Sequence, residues 1–276
     1  MGLTVNTNMA SMNALNNLNS TNRSLSGSYE RISSGLRITK AGDDGAGLGV
    51  AENLQSTQRS MRQAIRNTND GISLIHTAEG AANEVGGILK RMRELAVQSS
   101  SETLGDTERG YVNSEFTELS AEVDRISAVT EFNGVKIADG TNTSIDVQVG
   151  VNDTLADRIA ISLGDLSATT LGVDTASIDL STVTGAQASL SVLDSAIDSV
   201  NSYRADFGAA ENRLSSAMRN AETYTENMAG AESQIRDADF AMETADMAKK
   251  QIMQQAGVAV LSQANQMNQS ALRLIG

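Results

Sequence analysis

Apolar residues recur at a seven-residue spacing over most of the chain, which is the pattern of a helix that buries one seam. Such rows pass through 15–36, 61–96, 112–126, 193–228 and 253–274. An N-terminal row is formed by Leu18, Leu25 and Ile32, and Leu15 and Tyr29 lie on an interleaved row. The spacing therefore predicts five helical segments.

The segments 58–99 and 187–229 would each be about 60 Å long as helices. Their apolar stripes can be buried only against each other and against the stripe of 106–129. We therefore predict a mainly α fold, an elongated antiparallel helical bundle with coiled-coil-like packing. Both chain ends would then leave the bundle at the same end. The predicted core residues are Leu89, Met92, Phe116, Leu119, Phe207 and Leu214.

The pattern changes between 130 and 185. Asn133-Gly134 is a turn signal, and apolar residues alternate with polar ones from Ile145 to Val151, so we predict a small β-hairpin region in the middle of the chain. The segment 139–200 contains nine Asp but only one basic residue, Arg158. We interpret them as a solvated surface in which substitutions cost little, rather than as a metal site.

The two ends have apolar stripes but little bulk. Seven of the first 22 residues are Asn, and the last 26 are rich in Gln, Met and Ala. We expect helices that are disordered in the monomer and order only on assembly. A stripe with no partner in the bundle must be buried against other copies, and a contact between unlike surfaces that does not close gives an open helical polymer. The predicted polymerisation residues are Leu15, Leu18, Leu25, Ile32, Met253, Val260, Met267 and Leu274.

Composition argues against catalysis and against nucleic-acid binding. The formal net charge of −13 disfavours polyanionic partners, and the chain has no Cys and a single His, His76. Asp43-Asp44 is interpreted as lacking the pocket that a catalytic pair needs, and the glycine-rich 45–49 as a flexible hinge. We expect no enzyme activity, metal or cofactor, and the sequence indicates neither a secretory signal peptide nor a membrane-spanning helix.

Several ordered motifs resemble those of bacterial flagellins. In the first half they are ERISSGLRI (30–38), DDGAG (43–47), NDGIS (69–73), RMRELAVQ (91–98) and FNGV (132–135). In the second half they are QIMQQAG (251–257) and SQANQ (262–266). The resemblance covers about 1–138 and 187–276, and it implies a structural subunit of the flagellar filament that serves motility.

The resemblance also implies a minimal flagellin with two domains, called D0 and D1. The expected segments are a D0 helix (1–40), a hinge or spoke (41–57), D1 helices (58–130), a β and loop insert (131–185), a D1 helix (186–232) and a D0 helix (233–276). The alternative is a hook–filament junction protein or another flagellin-like coiled-coil export substrate. An H-E-x-x-H protease insert, which some flagellins carry, is excluded by the single His.

Partners and location follow from the same resemblance. Flagellins are secreted through the flagellar type III export apparatus, so we expect an extracellular protein of the filament. Expected partners are other copies of the chain, the flagellar cap and hook-associated proteins, and an export chaperone on the C-terminal segment. A host Toll-like receptor would bind the patch that corresponds to Leu89, Arg91, Leu95 and Glu122.

Overall fold

A computed structural model describes the backbone of residues 7–275 and the side chains of residues 7–266. The described chain contains six α-helices, four short strands and one 3-10 turn, Leu155–Asp157. The helices are α1 (Met9–Ser34), α2 (Gly45–Ser99), α3 (Asp106–Val129), α4 (Ala168–Leu171), α5 (Val183–Arg236) and α6 (Phe240–Ile275). The strands are β1 (Glu131–Phe132), β2 (Val135–Lys136), β3 (Ser144–Gln148) and β4 (Arg158–Ser162). The predicted class, mainly α with a small β-hairpin region in the middle, is confirmed.

The chain divides into two compact units. The central unit is Thr57–Glu226, and the terminal unit combines the segments up to Ser56 and from Asn227. The helix boundaries differ from those expected from the sequence. Residues 45–57 belong to α2 rather than to a hinge, and α5 continues to Arg236 instead of ending at 232. With no proline in the chain, no residue forces either long helix to stop earlier.

The central unit is an antiparallel bundle of α2, α3 and α5. Arg93 of α2 pairs with Asp194 near the start of α5, whereas His76 contacts Glu211 further along α5, so the two helices run in opposite directions. Arg91 pairs with Glu115 of α3, and Arg109 near the start of α3 reaches the end of α2. The fully buried core side chains of these helices include Ile75, Val85, Leu89, Met92, Leu95, Phe116, Val123, Leu193 and Leu214.

The insert between α3 and α5 forms two antiparallel hairpins. β1 and β2 are joined by Asn133 (φ 50°) and Gly134 (φ 78°), the left-handed pair that a two-residue hairpin turn requires. β3 pairs with β4 in a register that places Val147 opposite Ile159. Buried hydroxyls attach the insert to the helices, since Ser99 Oγ donates to Leu180 O at 2.6 Å. The insert is therefore part of the core rather than a surface addition.

None of the nine aspartates between 139 and 200 is buried, and several of them also hold local structure. Six of the nine accept hydrogen bonds from nearby groups. They are Asp139, Asp153, Asp157, Asp165, Asp179 and Asp194. Asp165, for example, accepts from Ser167 N at 2.9 Å and from Thr170 Oγ1 at 2.5 Å, and these bonds lower its pKa against the opposing effect of burial. Short polar side chains that bond their own backbone in this way build turns.

Gly164 provides a test of how tightly the insert packs. A Cβ at this position would lie 2.4 Å from Cδ2 of Tyr203, so Gly164→Ala must displace the ring. We expect a loss of about 1–3 kcal/mol in the free energy of unfolding, measured by urea denaturation of the monomer. Gly208→Ala in α5 is the control because its Cβ meets nothing within 4 Å, and it should raise stability by about 0.5–1 kcal/mol. Two variants of equal stability would contradict the packing argument.

Candidate assembly surface

In the terminal unit α1 and α6 pair antiparallel, and polar contacts mark the seam. Near the start of α6, Glu243 binds Arg31 of α1 at 3.2 Å. Further along, Lys250 Nζ donates to Ser28 Oγ at 2.8 Å, and Gln254 Nε2 donates to Asn22 Oδ1 at 2.9 Å. Asn8 Nδ2 closes the far end by donating to Ala264 O at 3.0 Å. Hydrogen bonds and ion pairs therefore fix the register of the two helices.

On α1 one of the two predicted rows faces α6 and the other is exposed. Leu25 is buried, and Leu18 and Ile32 of the same row are half-buried. The second row facing α6 consists of Ala14, Thr21 and Ser28, whereas Leu15 and Tyr29 are about half exposed. Leu15 was expected to share the stripe with Leu18. Compared with the expectation, α1 is rotated about its axis by one residue. Small and polar side chains therefore face α6, and the two helices can approach closely.

On α6 the same rotation applies. The half-buried or buried side of the helix includes Glu243, Met247, Lys250, Gln254, Gly257, Leu261 and Ala264. Gly257 lies against Leu18, whose Cδ1 would be 3.3 Å from an added Cβ. The predicted polymerisation residues Met253 and Val260 lie outside this seam and are exposed. Met267 and Leu274 lie outside the residues whose side chains the structure describes.

The outer surface of the terminal unit is unusually apolar. Eleven large hydrophobic side chains are exposed among the described residues of this unit, and only four hydrophobic residues there are buried, Leu25, Ile38, Ala51 and Ala264. We call the exposed set on the two paired helices the outer apolar face. It consists of Met9, Met12, Leu15 and Tyr29 on α1 and of Phe240, Met242, Ile252, Met253, Val258 and Val260 on α6. Such a surface indicates a site of protein association.

The segment that follows α1 is fixed by backbone pairing and aspartate caps. Leu36 and Asp237 form an antiparallel bridge, and Arg37 N donates to Arg236 O at 2.7 Å. Asp43 accepts from Thr39 Oγ1 and from the Thr39 and Lys40 amides, and these bonds lower the pKa of its carboxyl. Asp44 Oδ1 accepts from Gly47 N at 2.8 Å in the first turn of α2. The two carboxylates thus build a turn and a helix start, and residues 45–49, expected to form a flexible hinge, lie in the first turns of α2.

The expected receptor patch is only partly at the surface. Leu89 and Leu95 are 0% and 1% exposed, so neither is available as an apolar anchor. Both lie on the face of α2 that packs into the core, so they are not at the surface as the resemblance implied. Arg91 is exposed and binds Glu115 at 2.7 Å and Glu94 at 3.1 Å. Glu122 is held by Arg125, whose hydrogen bonds lower the pKa of the Glu122 carboxyl.

The six predicted core residues lie together in the central unit. Leu89, Met92, Phe116, Phe207 and Leu214 are buried, and Leu119 is partly buried against the same cluster.

Among the described residues no group of three His, Asp or Glu side chains is arranged to hold a metal ion. None of the described helices has the length and apolar content of a membrane span.

Family models match both halves of the chain. The bacterial flagellin N-terminal helical region matches residues 5–143, and the bacterial flagellin C-terminal helical region matches residues 190–275. The unmatched residues between them lie mainly in the insert, which contains β4 and α4.

Relatives match over almost their full length. A flagellin of Halalkalibacterium halodurans is 41% identical over 98% of this chain and 99% of its own. A flagellar filament 33 kDa core protein of Treponema phagedenis is 38% identical, with the same two coverages. The crystal structure of Bacillus cereus flagellin matches 60% of this chain and 94% of its own at 32% identity, with a TM-score of 0.50. These relatives favour a filament subunit over a hook–filament junction protein. The chain belongs to the bacterial flagellin family.

Proposed function

We propose that this chain polymerises through the outer apolar face of α1 and α6, and that it acts in this way as the structural subunit of a flagellar filament. The observation that carries the proposal is the arrangement of the terminal unit. Polar and small residues share the seam between the two helices with Leu18, Leu25 and Ile32, while ten other large apolar side chains, among them Met12, Met253 and Val260, are exposed to solvent. A soluble monomer ordinarily leaves fewer large apolar groups exposed close together.

No described part of the terminal unit covers the outer apolar face. Each large side chain moved out of water contributes about 1.5–3 kcal/mol, so ten of them provide a large driving force for association. A copy that binds with one part of the face leaves another part open for the next copy. Association between unlike surfaces therefore continues as an open helical polymer.

We further propose that the two terminal helices are disordered in the free monomer and become ordered on assembly. The seam between α1 and α6 buries few large side chains, so packing within one copy contributes little toward the entropy cost of ordering more than 60 residues. Contacts with neighbouring copies would supply the remainder. Ordering and polymerisation would then be one event.

Assembly on seeds tests the proposal. Short fragments of assembled filaments should nucleate growth by the intact chain, measured by electron microscopy and light scattering. Chains that lack 1–35 or 240–276 should keep the helicity of the central unit but fail to elongate. Normal filaments from either truncated chain would show that α1 and α6 are not the polymerisation device.

The proposal includes the partners that a filament subunit needs. The flagellar cap and hook-associated proteins would meet the subunits at the ends of the polymer, and an export chaperone would cover the apolar C-terminal segment before secretion through the type III apparatus. The filament would lie outside the cell. A host Toll-like receptor would be limited to the exposed part of the expected patch, Arg91 and Glu122, since the two leucines are buried.

A further inference from the structure

Methionine is distributed unevenly over the surface of the protein. The sequence contains 11 Met and no Cys. Among the residues whose side chains the structure describes, four methionines are largely exposed, with exposed fractions between 49% and 69%. They are Met9, Met12, Met242 and Met253, and we call them the exposed methionines. All four belong to the outer apolar face.

The other described methionines are less accessible. In the central unit Met61 and Met92 are buried, and Met218 is half-buried. In the terminal unit Met228 and Met247 are half-buried. A reagent that attacks accessible thioethers would therefore act on the outer apolar face before it reached the core of the central unit. Disorder of the terminal helices in the free chain would increase this difference.

The exposed methionines are spread along the paired helices. Met242 and Met253 are 11 residues apart on α6, about three turns, so they lie on one face of that helix. Met9 and Met12 lie at the start of α1, beside the last described side chains of α6. A chemical change at these four side chains would thus alter the outer apolar face over most of its described length.

Hydrogen peroxide oxidises the thioether sulfur of methionine. A lone pair of Sδ attacks one peroxide oxygen, the O–O bond breaks, and an S–O bond forms while water leaves. The sulfur loses two electrons and the peroxide gains them, so the products are methionine sulfoxide and water. The chain has no Cys, so no thiol of its own competes for the oxidant.

Oxidation removes the property on which the outer apolar face depends. The sulfoxide is polar, and its oxygen accepts hydrogen bonds. In the free chain water satisfies this oxygen, because the exposed methionines face solvent. Between neighbouring copies the oxygen would lose its water without gaining a donor, which is unfavourable. Oxidation at the four positions therefore opposes association, whereas the core around Met92 is unchanged.

We propose that the exposed methionines are a reversible oxidation site, and that their conversion to sulfoxides prevents the chain from adding to a filament. This inference rests on the proposed polymerisation through the outer apolar face. It adds a regulation of that face by peroxide. Methionine sulfoxide reductases would restore the thioethers and with them the ability to assemble.

Seeded elongation of oxidised chain tests this site. The intact monomer is treated with hydrogen peroxide, freed of the reagent and added to untreated wild-type seeds, and growth is followed by light scattering. We expect elongation at least about tenfold slower than that of untreated chain. Methionine sulfoxide reductases A and B should restore most of the rate. Circular dichroism checks that the oxidised monomer keeps the helicity of the central unit.

Mass spectrometry of proteolytic fragments identifies the methionines responsible. Samples are taken during the peroxide treatment, and the oxygen gained at each methionine is compared with the loss of growth in the same sample. We expect the loss to parallel oxygen uptake at the exposed methionines, with Met61 and Met92 still unmodified. This comparison uses the wild-type chain alone.

Two leucine variants provide matched chains without selected thioethers, since leucine is close to methionine in volume and helix propensity. The face variant carries Met9→Leu, Met12→Leu, Met242→Leu and Met253→Leu. The central variant carries Met61→Leu, Met92→Leu and Met218→Leu. Each is compared with its own untreated chain, so any effect of leucine itself cancels. Peroxide should slow the face variant less than about twofold, and it should slow the central variant as much as wild type.

The outcomes distinguish this inference from the proposed function. The oxidation site is wrong if growth is unchanged after the exposed methionines gain oxygen, or if they gain it no faster than Met92. It is also wrong if peroxide slows the face variant as much as wild type. An untreated wild-type chain that fails to elongate on its own seeds contradicts the proposed polymerisation itself, because no oxidation is then involved.

Discussion

Val260→Asp is expected to stop filament growth while leaving the central unit of the monomer folded. Val260 lies on the outer apolar face of α6 and is 58% exposed, so the free chain accepts a carboxylate there without strain. Valine and aspartate have similar helix propensities, so α6 itself is little affected. In the proposed polymer the side chain is buried among neighbouring copies, where an unpaired charge costs about 3 kcal/mol or more per contact. That cost corresponds to at least about a hundredfold weaker addition of each subunit.

Seeded elongation measures this effect, and two further substitutions identify its cause. Val260→Ile keeps the apolar surface and should grow normally. Gln255→Asp places the same charge at a polar exposed position of the same helix and should slow growth much less than Val260→Asp. Growth of Val260→Asp at the wild-type rate would show that this part of α6 does not lie in a subunit contact.

The core of the bundle could be predicted from periodicity because large side chains recur there without ambiguity. The rows through Leu89, Phe116 and Leu214 each have one face of bulky groups, and only one rotation of the helix buries them. The hairpin at 131–136 could also be predicted from the sequence, since Asn133-Gly134 supplies the positive φ angles that its turn requires. In both cases local chemistry and global packing favour the same structure.

The terminal helices show where the sequence pattern is insufficient. Their apolar residues occupy more than half of the helix circumference, so a seven-residue row can face either the partner helix or other copies of the chain. The choice is made by polar pairs such as Glu243 with Arg31 and Lys250 with Ser28. These pairs join residues more than 200 positions apart, and no spacing within one helix predicts them.

The loop aspartates are a second case in which composition is a poor guide. A run of acidic residues is typical of a solvated surface, but the function of each carboxylate depends on the backbone amides within its reach. Asp157 accepts from Asn152 N and Thr154 Oγ1, and in this way it fixes the turn between β3 and β4. Asp146, in contrast, is an exposed residue in the middle of β3.

Phe116→Ala should produce the largest loss of stability in the central unit. Phe116 is 0% exposed and lies in the cluster that joins α2, α3 and α5, so truncation removes a ring that no neighbour can replace. Phenylalanine-to-alanine changes at such positions cost about 3–5 kcal/mol, through the lost transfer free energy and the remaining cavity. A domain of this size has a total stability of about 5–15 kcal/mol, so the loss is a large part of it.

Urea denaturation of the monomer, followed by far-ultraviolet circular dichroism, measures the change. Tyr111→Ala is the matched control, because Tyr111 lies on the same helix but is 72% exposed, and it should change the free energy of unfolding by less than about 0.5 kcal/mol. Equal denaturation midpoints for the two variants would mean that the bundle is not held by this cluster.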